Sequence, residues 1–305
     1  MRKSADFFMF QVMLILCVTW GLQQIAIKLV VGDITTIVQA SLRSGIAAFL
    51  VAIVLVIKGG WQPSWQGTSR AGMVVGLLFA SEFLFIALGL QYTSASHMAV
   101  FLYTAPIFSA LGLNFFVASE RLKPLQWLGI TVCFIGVVVA FGGSISFNEM
   151  NTTILLGDLF GLLAGIAWGA TTVVVRSTKL SEAPASLTLF YQLFIAFISL
   201  LLIALATGQF ATFNLTAISV SSLLFQGVIV SFVSYLVWFW LLRQYLANNL
   251  AVFSFMTPMF GVTFGVLILG EKLTINFIIG AMLILLGILL VSGEAALTRF
   301  IKRLN

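Results

Sequence analysis

The sequence predicts an all-α integral membrane protein: ten transmembrane helices arranged as two five-helix repeats of inverted topology. Three observations predict it: a composition too apolar for water, ten apolar stretches of spanning length, and blocks of residues that recur in order along the chain. Of 305 residues, 61% are hydrophobic and only 24 are charged (15 Lys+Arg, 9 Asp+Glu). A soluble protein uses charge at about one residue in four, so too few charges remain here to build a water-facing surface. The mean hydropathy of +1.15 makes the bilayer the solvent. Ten spans of about 20 residues leave short loops and no room for a soluble catalytic domain.

The spans follow from breaks at polar, Gly and Pro residues: 8–31, 35–57, 71–92, 97–117, 125–142, 155–176, 185–206, 218–242, 248–269 and 274–292. In lipid each must be helical, because backbone groups find no partner outside their own segment. Pro124 and Pro184 stand at the starts of spans five and seven, where a missing N–H costs little. The start of the chain (Arg2, Lys3, then Phe7 to Trp20) imitates a signal peptide. No small-residue cleavage site closes it, and the apolar run continues to about Val31, so it reads as a retained first span. Cys17 and Cys133 lie in apolar runs and read as small hydrophobes, not a disulfide. With a single histidine they form no metal set, and no cofactor is expected.

Lys and Arg fix the expected orientation. With the N-terminus in the cytoplasm, Arg2, Lys3, Lys58, Arg70, Arg121, Lys123, Arg176, Lys179, Arg243, Arg299, Lys302 and Arg303 are inside. Only Lys28 and Lys272 are outside, and Arg43 is within a span. This predicts a multi-pass protein of the cytoplasmic (inner) membrane with both termini cytoplasmic. Nine spans would place the C-terminal cations outside, against that rule. The net charge of +6 is explained by topology; no basic cluster with interleaved aromatics points to nucleic acid.

Internal repetition gives the architecture. Trp20-Gly21 with Lys28 recurs as Trp168-Gly169 with Arg176, an offset of 148. Ala99-Val100-Phe101 and Pro106 recur as Ala251-Val252-Phe253 and Pro258, an offset of 152. Glu120-Arg121-Leu122 returns as Glu271-Lys272-Leu273, and Gly129 with Gly136 as Gly280 with Gly287, both at 151. An odd number of spans per copy inverts the second copy. Inverted repeats are typical of secondary transporters, whose site at the repeat interface opens alternately to either side.

The stretch Ala87-Leu88-Gly89-Leu90-Gln91-Tyr92-Thr93-Ser94-Ala95-Ser96, with Pro106, Glu120-Arg121-Leu122 and Gln126-Trp127-Leu128-Gly129, resembles the EamA family of the drug/metabolite transporter superfamily. Thr257-Pro258 and Gly270-Glu271-Lys272-Leu273 match it in the second half. The distance from Pro106 to Glu120 exceeds that from Pro258 to Glu271 by one residue, a departure at the end of span four. The resemblance implies two repeats, 1–143 (spans 1–5) and 151–295 (spans 6–10), with 296–305 a short basic cytoplasmic tail. It also implies export of small metabolites or drugs, commonly amino acids and their relatives.

Several residues are candidates to carry transport. Gly157, Gly161, Gly165 and Gly169 line one face of span six, and Gly261 with Gly265 one face of span nine, a pattern for close helix packing. Pro106 and Pro258, mid-span at matched places, free the carbonyls of Leu102 and Ser254 and are candidate hinges, or plain kinks satisfied by a neighbouring Ser or Thr. Trp20, Gln24 and Lys28 share a helical face with Gln23 beside them, repeated as Trp168, Thr172 and Arg176. Such a stripe suits the wall of a substrate cavity, or bundle packing; Tyr103, Tyr235 and Trp238 fit the same lining role. Trp61, Trp65 and Trp127 read as interfacial anchors, and His97 as an interfacial histidine at the outer start of span four.

Two intramembrane charges stand out. Arg43 and Glu82 would each cost roughly 2.5–3.5 kcal/mol at a helix centre unless paired or wet. They are candidate substrate or proton sites, or a buried ion pair that locks the fold. The expected function is a secondary transporter, driven by proton exchange or the substrate gradient; no phosphate-binding loop with Lys supports ATP drive. The expected partners are a small-molecule substrate, lipid and protons, with the chain a monomer or a homodimer. An intramembrane enzyme would need a nucleophile with a base, or a second acid beside Glu82, and a channel a ring of like groups around a pore.

Overall fold

The computed structural model describes residues 6–57, 67–117, 121–142, 152–245, 250, 253–254 and 256–304, the last without side chains beyond 291. These form α1 (Phe7–Leu29), α2 (Thr36–Ile57), α3 (Ser69–Gly89), α4 (Ala95–Leu102), α5 (Ala105–Phe116), α6 (Pro124–Gly142), α7 (Thr152–Ser177) and α8 (Ala185–Ala206). Then come α9 (Ala217–Leu224), a π-helical segment (Phe225–Ser234), α10 (Tyr235–Gln244), α11 (Met256–Leu269) and α12 (Ile275–Leu304). No strand occurs among the described residues; one isolated bridge joins Ile34 to Phe213.

Seven stretches are long and apolar enough to cross a membrane, the pairs α4–α5 and α9–α10 counting as one each. Three shorter apolar helices cover Pro124–Ala140, Met256–Leu269 and Ile275–Val291. The outer surface carries large apolar side chains such as Ile15, Phe49, Phe115, Leu202, Leu267 and Met282, as lipid contact requires. α12 continues to Leu304, into the expected basic tail at 296–305. Glu120, Ala251, Val252, Trp61, Trp65, Arg2, Lys3 and Lys58 lie outside the described residues.

Pro106 does not interrupt a continuous helix as the sequence suggested. The helix does not bend around one lost hydrogen bond; it stops at Leu102 and restarts at Ala105, with Pro106 in the first turn of α5. Thr104 spans the break, its N–H and its Oγ1 both donating to the Phe101 carbonyl at 3.1 and 2.6 Å. Proline in a first helical turn removes no intrahelical bond, so the break is a satisfied joint. Pro258 lies in α11, and Phe253 and Ser254 before it are helical as well.

Glycine faces hold the bundle together. A Cβ built on Gly165 would lie 3.1 Å from the Leu102 carbonyl oxygen, and one on Gly169 2.7 Å from Phe108 Cβ. The stripe of α7 therefore lets the broken α4–α5 rod approach at backbone distance. Between α6 and α12 the contacts come in a matched pair. A Cβ on Gly129 would meet the Gly287 carbonyl at 2.7 Å, and one on Gly136 the Gly280 carbonyl at 2.8 Å. The 151-residue offset exchanges the two contacts.

This closeness gives a prediction. Gly280→Leu should cost at least about 3 kcal/mol, the upper end for overpacking, because the obstructing atoms at Ala140 and Gly136 are backbone. Gly32→Ala, which meets no atom within 4 Å, is the control. Thermal unfolding in detergent decides it; equal midpoints for both variants would contradict the close approach.

Candidate functional site

Most of the candidate residues converge in the bundle interior. Arg43, on α2, is wholly buried (0% exposed), and its guanidinium carbon stacks 3.9 Å above the Phe83 ring of α3. One residue before Phe83, Glu82 is 6% exposed. Arg43 and Glu82 act on each other through charge, and both act on the Tyr235 hydroxyl at the start of α10. They do not form the ion pair considered from sequence: no nitrogen–oxygen contact within 4.0 Å joins them. Arg43 faces the Tyr235 hydroxyl, and no well-formed hydrogen bond reaches its three nitrogens or Glu82 Oε2.

An unpaired buried guanidinium and carboxylate side by side are costly in a low-dielectric interior. The stacking on Phe83 recovers part of that as a cation–π contact. What remains is a planar fork of N–H donors beside a carboxylate oxygen.

Aromatic pairs flank these charges. The Trp20 indole N–H donates to Ser234 Oγ at 2.8 Å, and its ring meets Trp238 edge-on at 5.6 Å. Trp168 meets Tyr103 edge-on at 5.3 Å. Tyr103 lies within reach of Thr257, Tyr235 and Glu82, and Cys17 also faces Thr257. Gln23 and Gln24 are buried on α1, with Gln24 Oε1 unpartnered. Thr172 turns back to its own helix, donating to the Trp168 carbonyl at 3.3 Å. Lys28 leaves the Trp20–Gln24 stripe to bind the Thr93 carbonyl at 2.5 Å.

Other participants had no clear mark in the sequence. Gln226, in the π-helical segment, donates to Gln39 Oε1 and to Ser222 Oγ, both at 3.0 Å, while Gln226 Oε1 and Ser231 Oγ stay unpartnered. The π-helix shifts these polar residues inward, and such segments gather at functional sites. Their only signal was polarity within apolar runs.

His97 corrects the interfacial reading. It is 9% exposed, its Nδ1 lies 2.9 Å from both carboxylate oxygens of Asp158, and its ring stacks on Phe277 at 3.8 Å. Asp158, on α7, is 0% exposed, so Glu82 is not the one acid buried in a span. Thr93 Oγ1 donates to Asp158 at 2.5 Å, and Glu271 accepts from the backbone N–H groups of Ala95 and Ser96 at 2.7 and 3.0 Å. No group of three metal-ligating side chains occurs among the described residues.

Comparison with known proteins agrees with this architecture. The model of the EamA-like transporter family matches twice, at residues 8–142 and 155–293. Transporter YoaV of Bacillus subtilis (strain 168) is 27% identical over 270 residues, 88% of this chain and 91% of its own. Proteins named "Probable amino-acid metabolite efflux pump" from Salmonella typhimurium (strain LT2) and Escherichia coli (strain K12) are 27% and 26% identical. Each alignment covers 90% of this chain and 91% of the relative. A solved crystal structure shares the fold, with a TM-score of 0.61 over 94% of this chain and 98% of its own at 14% identity. These relatives are named transporters or efflux pumps, not enzymes. With both family matches covering nearly all of the chain, the protein belongs to the EamA-like transporter family of membrane proteins.

Proposed function

We propose that the protein is a secondary transporter of the cytoplasmic membrane that exports small amphipathic metabolites by alternating access, amino acids or their relatives foremost. The observation that carries the reading is the Arg43 fork beside Glu82, reached by no well-formed hydrogen bond and enclosed by Phe83, Tyr235 and the Trp20 and Trp168 pairs. A charged fork and a carboxylate suit the polar end of a substrate, and the rings its apolar part. The names of the Salmonella and Escherichia relatives support amino-acid metabolites and the outward direction. In this reading the three shorter apolar helices complete ten spans, and the two halves form inverted repeats with cytoplasmic termini. The double family match and the exchanging glycine contacts support that symmetry.

The experiment compares extracellular metabolites of cells overproducing the protein with those of cells lacking it, then repeats transport of the compound found in proteoliposomes. The expected result is one class of small metabolite enriched outside the overproducing cells and taken up by the vesicles. Identical extracellular profiles, with no uptake of any tested amino acid, would overturn the reading. Single-cysteine labelling tests orientation: Arg176→Cys should label only from the cytoplasmic side, and labelling from outside intact cells reverses the topology.

A further inference from the structure

The two ends of the bundle are closed by corresponding contacts. At one end Thr93 Oγ1 donates to Asp158; at the other the Tyr245 hydroxyl reaches both Asp6 carboxylate oxygens at 3.0 and 2.9 Å. Asp6 and Asp158 are 152 residues apart, and so are Thr93 and Tyr245. The offset that relates Pro106 to Pro258 thus carries one hydroxyl–carboxylate contact onto the other. The Asp6 contact ties the start of α1 to the end of α10, and the Asp158 contact ties the turn before α4 to α7. In an alternating-access cycle these are the places that must part in turn.

The two contacts differ in one respect. His97 joins Asp158, whereas Asn249 stands 152 residues later. His97 is the single histidine of the chain. A carboxylate facing Nδ1 keeps a proton on that nitrogen, so Nε2 decides whether the ring is neutral or cationic. Asp158 on α7 and the Phe277 face on α12 both lie against the ring. The other charges facing this end are Lys28 of α1, held on the Thr93 carbonyl, and Glu271, held on the first N–H groups of α4. Each is already engaged with α4 or its preceding turn, so the charge that changes is that of His97.

We propose that His97 and Asp158 form a proton-binding latch at the end of the bundle opposite the N-terminus, binding a proton as that end closes and releasing it as it opens. The latch rests on the alternating-access reading above. Nδ1 donates to the Asp158 carboxylate in either state, and the imidazolium adds a full ionic attraction to that bond, so protonation favours the closed end. By linkage, opening must favour loss of the proton. Protons on the outer side then close an exporter that has released its substrate and return it inward, while the Asp6–Tyr245 contact, which has no histidine, opens to reload it.

The test uses Met98→Cys in a Cys17→Ala/Cys133→Ala background, in lipid nanodiscs, with a soluble maleimide as probe. Met98 is fully buried and packs on Gly89 and Gly161, so the new thiol reacts only when α4 leaves α7. The expected labelling rate rises about tenfold between pH 5.5 and 8.5, after correction for thiol ionisation with a free-thiol standard; tenfold is about 1.4 kcal/mol. Nitrogen NMR of the single histidine should show its protonation changing over the same pH range as labelling. His97→Gln should label fast at both pH values and His97→Arg slowly at both. His97→Asn, which copies the matching residue of the second half, should behave as His97→Gln.

Survival of the pH dependence in both His97→Gln and His97→Asn overturns the latch. A change in imidazole protonation without a change in labelling overturns it as well. A parent that never labels at any pH instead overturns the opening of this end, and with it the alternating-access reading.

Discussion

Arg43→Met is expected to make the protein more stable and to abolish transport. The guanidinium is completely buried, no well-formed hydrogen bond reaches its three nitrogens, and Glu82 is beyond ion-pair distance. Replacing a whole buried ion pair with well-packed apolar side chains is often neutral or stabilising by about 1–4 kcal/mol, and because Arg43 is not ion-paired to Glu82 its replacement leaves no broken salt bridge behind. Methionine is of similar length and fills the space over Phe83, so little packing is lost. Thermal unfolding in detergent should therefore move upward. Substrate uptake into proteoliposomes should fall by at least about 30-fold, because losing the partner of a substrate's charged group costs about 2–5 kcal/mol. Arg43→Lys keeps the charge but not the planar fork, and should retain a small part of the uptake. A gain in stability with loss of activity is the signature of a residue kept for function at the expense of the fold. Uptake by Arg43→Met at the wild-type rate, or a lower unfolding temperature, would make Arg43 structural.

Much of this was readable from the sequence, and the unread parts share a physical cause. Arg43 and Glu82 could be named because charge inside a span is rare and costly. The glycine faces were legible because small residues at helical spacing are needed where backbones touch: Gly161, Gly165 and Gly169 meet the α4–α5 rod, and Gly157 meets Gly89 and Thr93 before it. His97 was misread because hydropathy places a residue along a span but not around the bundle. Its position near a span end suggested water, whereas Asp158 and Phe277 from two other helices enclose it. Asp158 itself lies near the start of an apolar run, where an acid resembles a helix end. Gln39 and Gln226 were hidden for another reason. Gln226 lies in the π-helical segment, where periodicity arguments that assume a regular 3.6-residue turn fail, and Gln39 on α2 is marked as a participant only by its bond to Gln226. Pro106 was located correctly but its consequence was not, since whether a proline kinks a helix or starts one depends on the residues before it.

Glu82→Gln is expected to separate gradient-driven transport from simple exchange. Glu82 has an unpartnered Oε2 and sits between the charge of Arg43 and the hydroxyls of Tyr103 and Tyr235. Its counterpart 152 residues later is Ser234, which is already engaged: it accepts from Trp20 and donates to the Val230 carbonyl at 2.5 Å. The carboxylate is thus on one side of the pseudo-symmetric centre only, and its matched position in the other half can neither gain nor lose a proton at neutral pH. A carboxylate that faces Arg43 more closely in one access state than in the other holds its proton less firmly in that state, and a substrate ammonium would act in the same sense. Either way, proton and substrate compete for one group, which is what exchange of one for the other requires. Gln keeps the size and one acceptor but cannot titrate, so downhill exchange of substrate across proteoliposomes should survive within a few-fold. Uptake driven by an imposed pH gradient should vanish. If Glu82→Gln accumulates substrate against its gradient as the wild type does, the carboxylate is not the coupling group, and Glu82 serves only to balance the charge of Arg43.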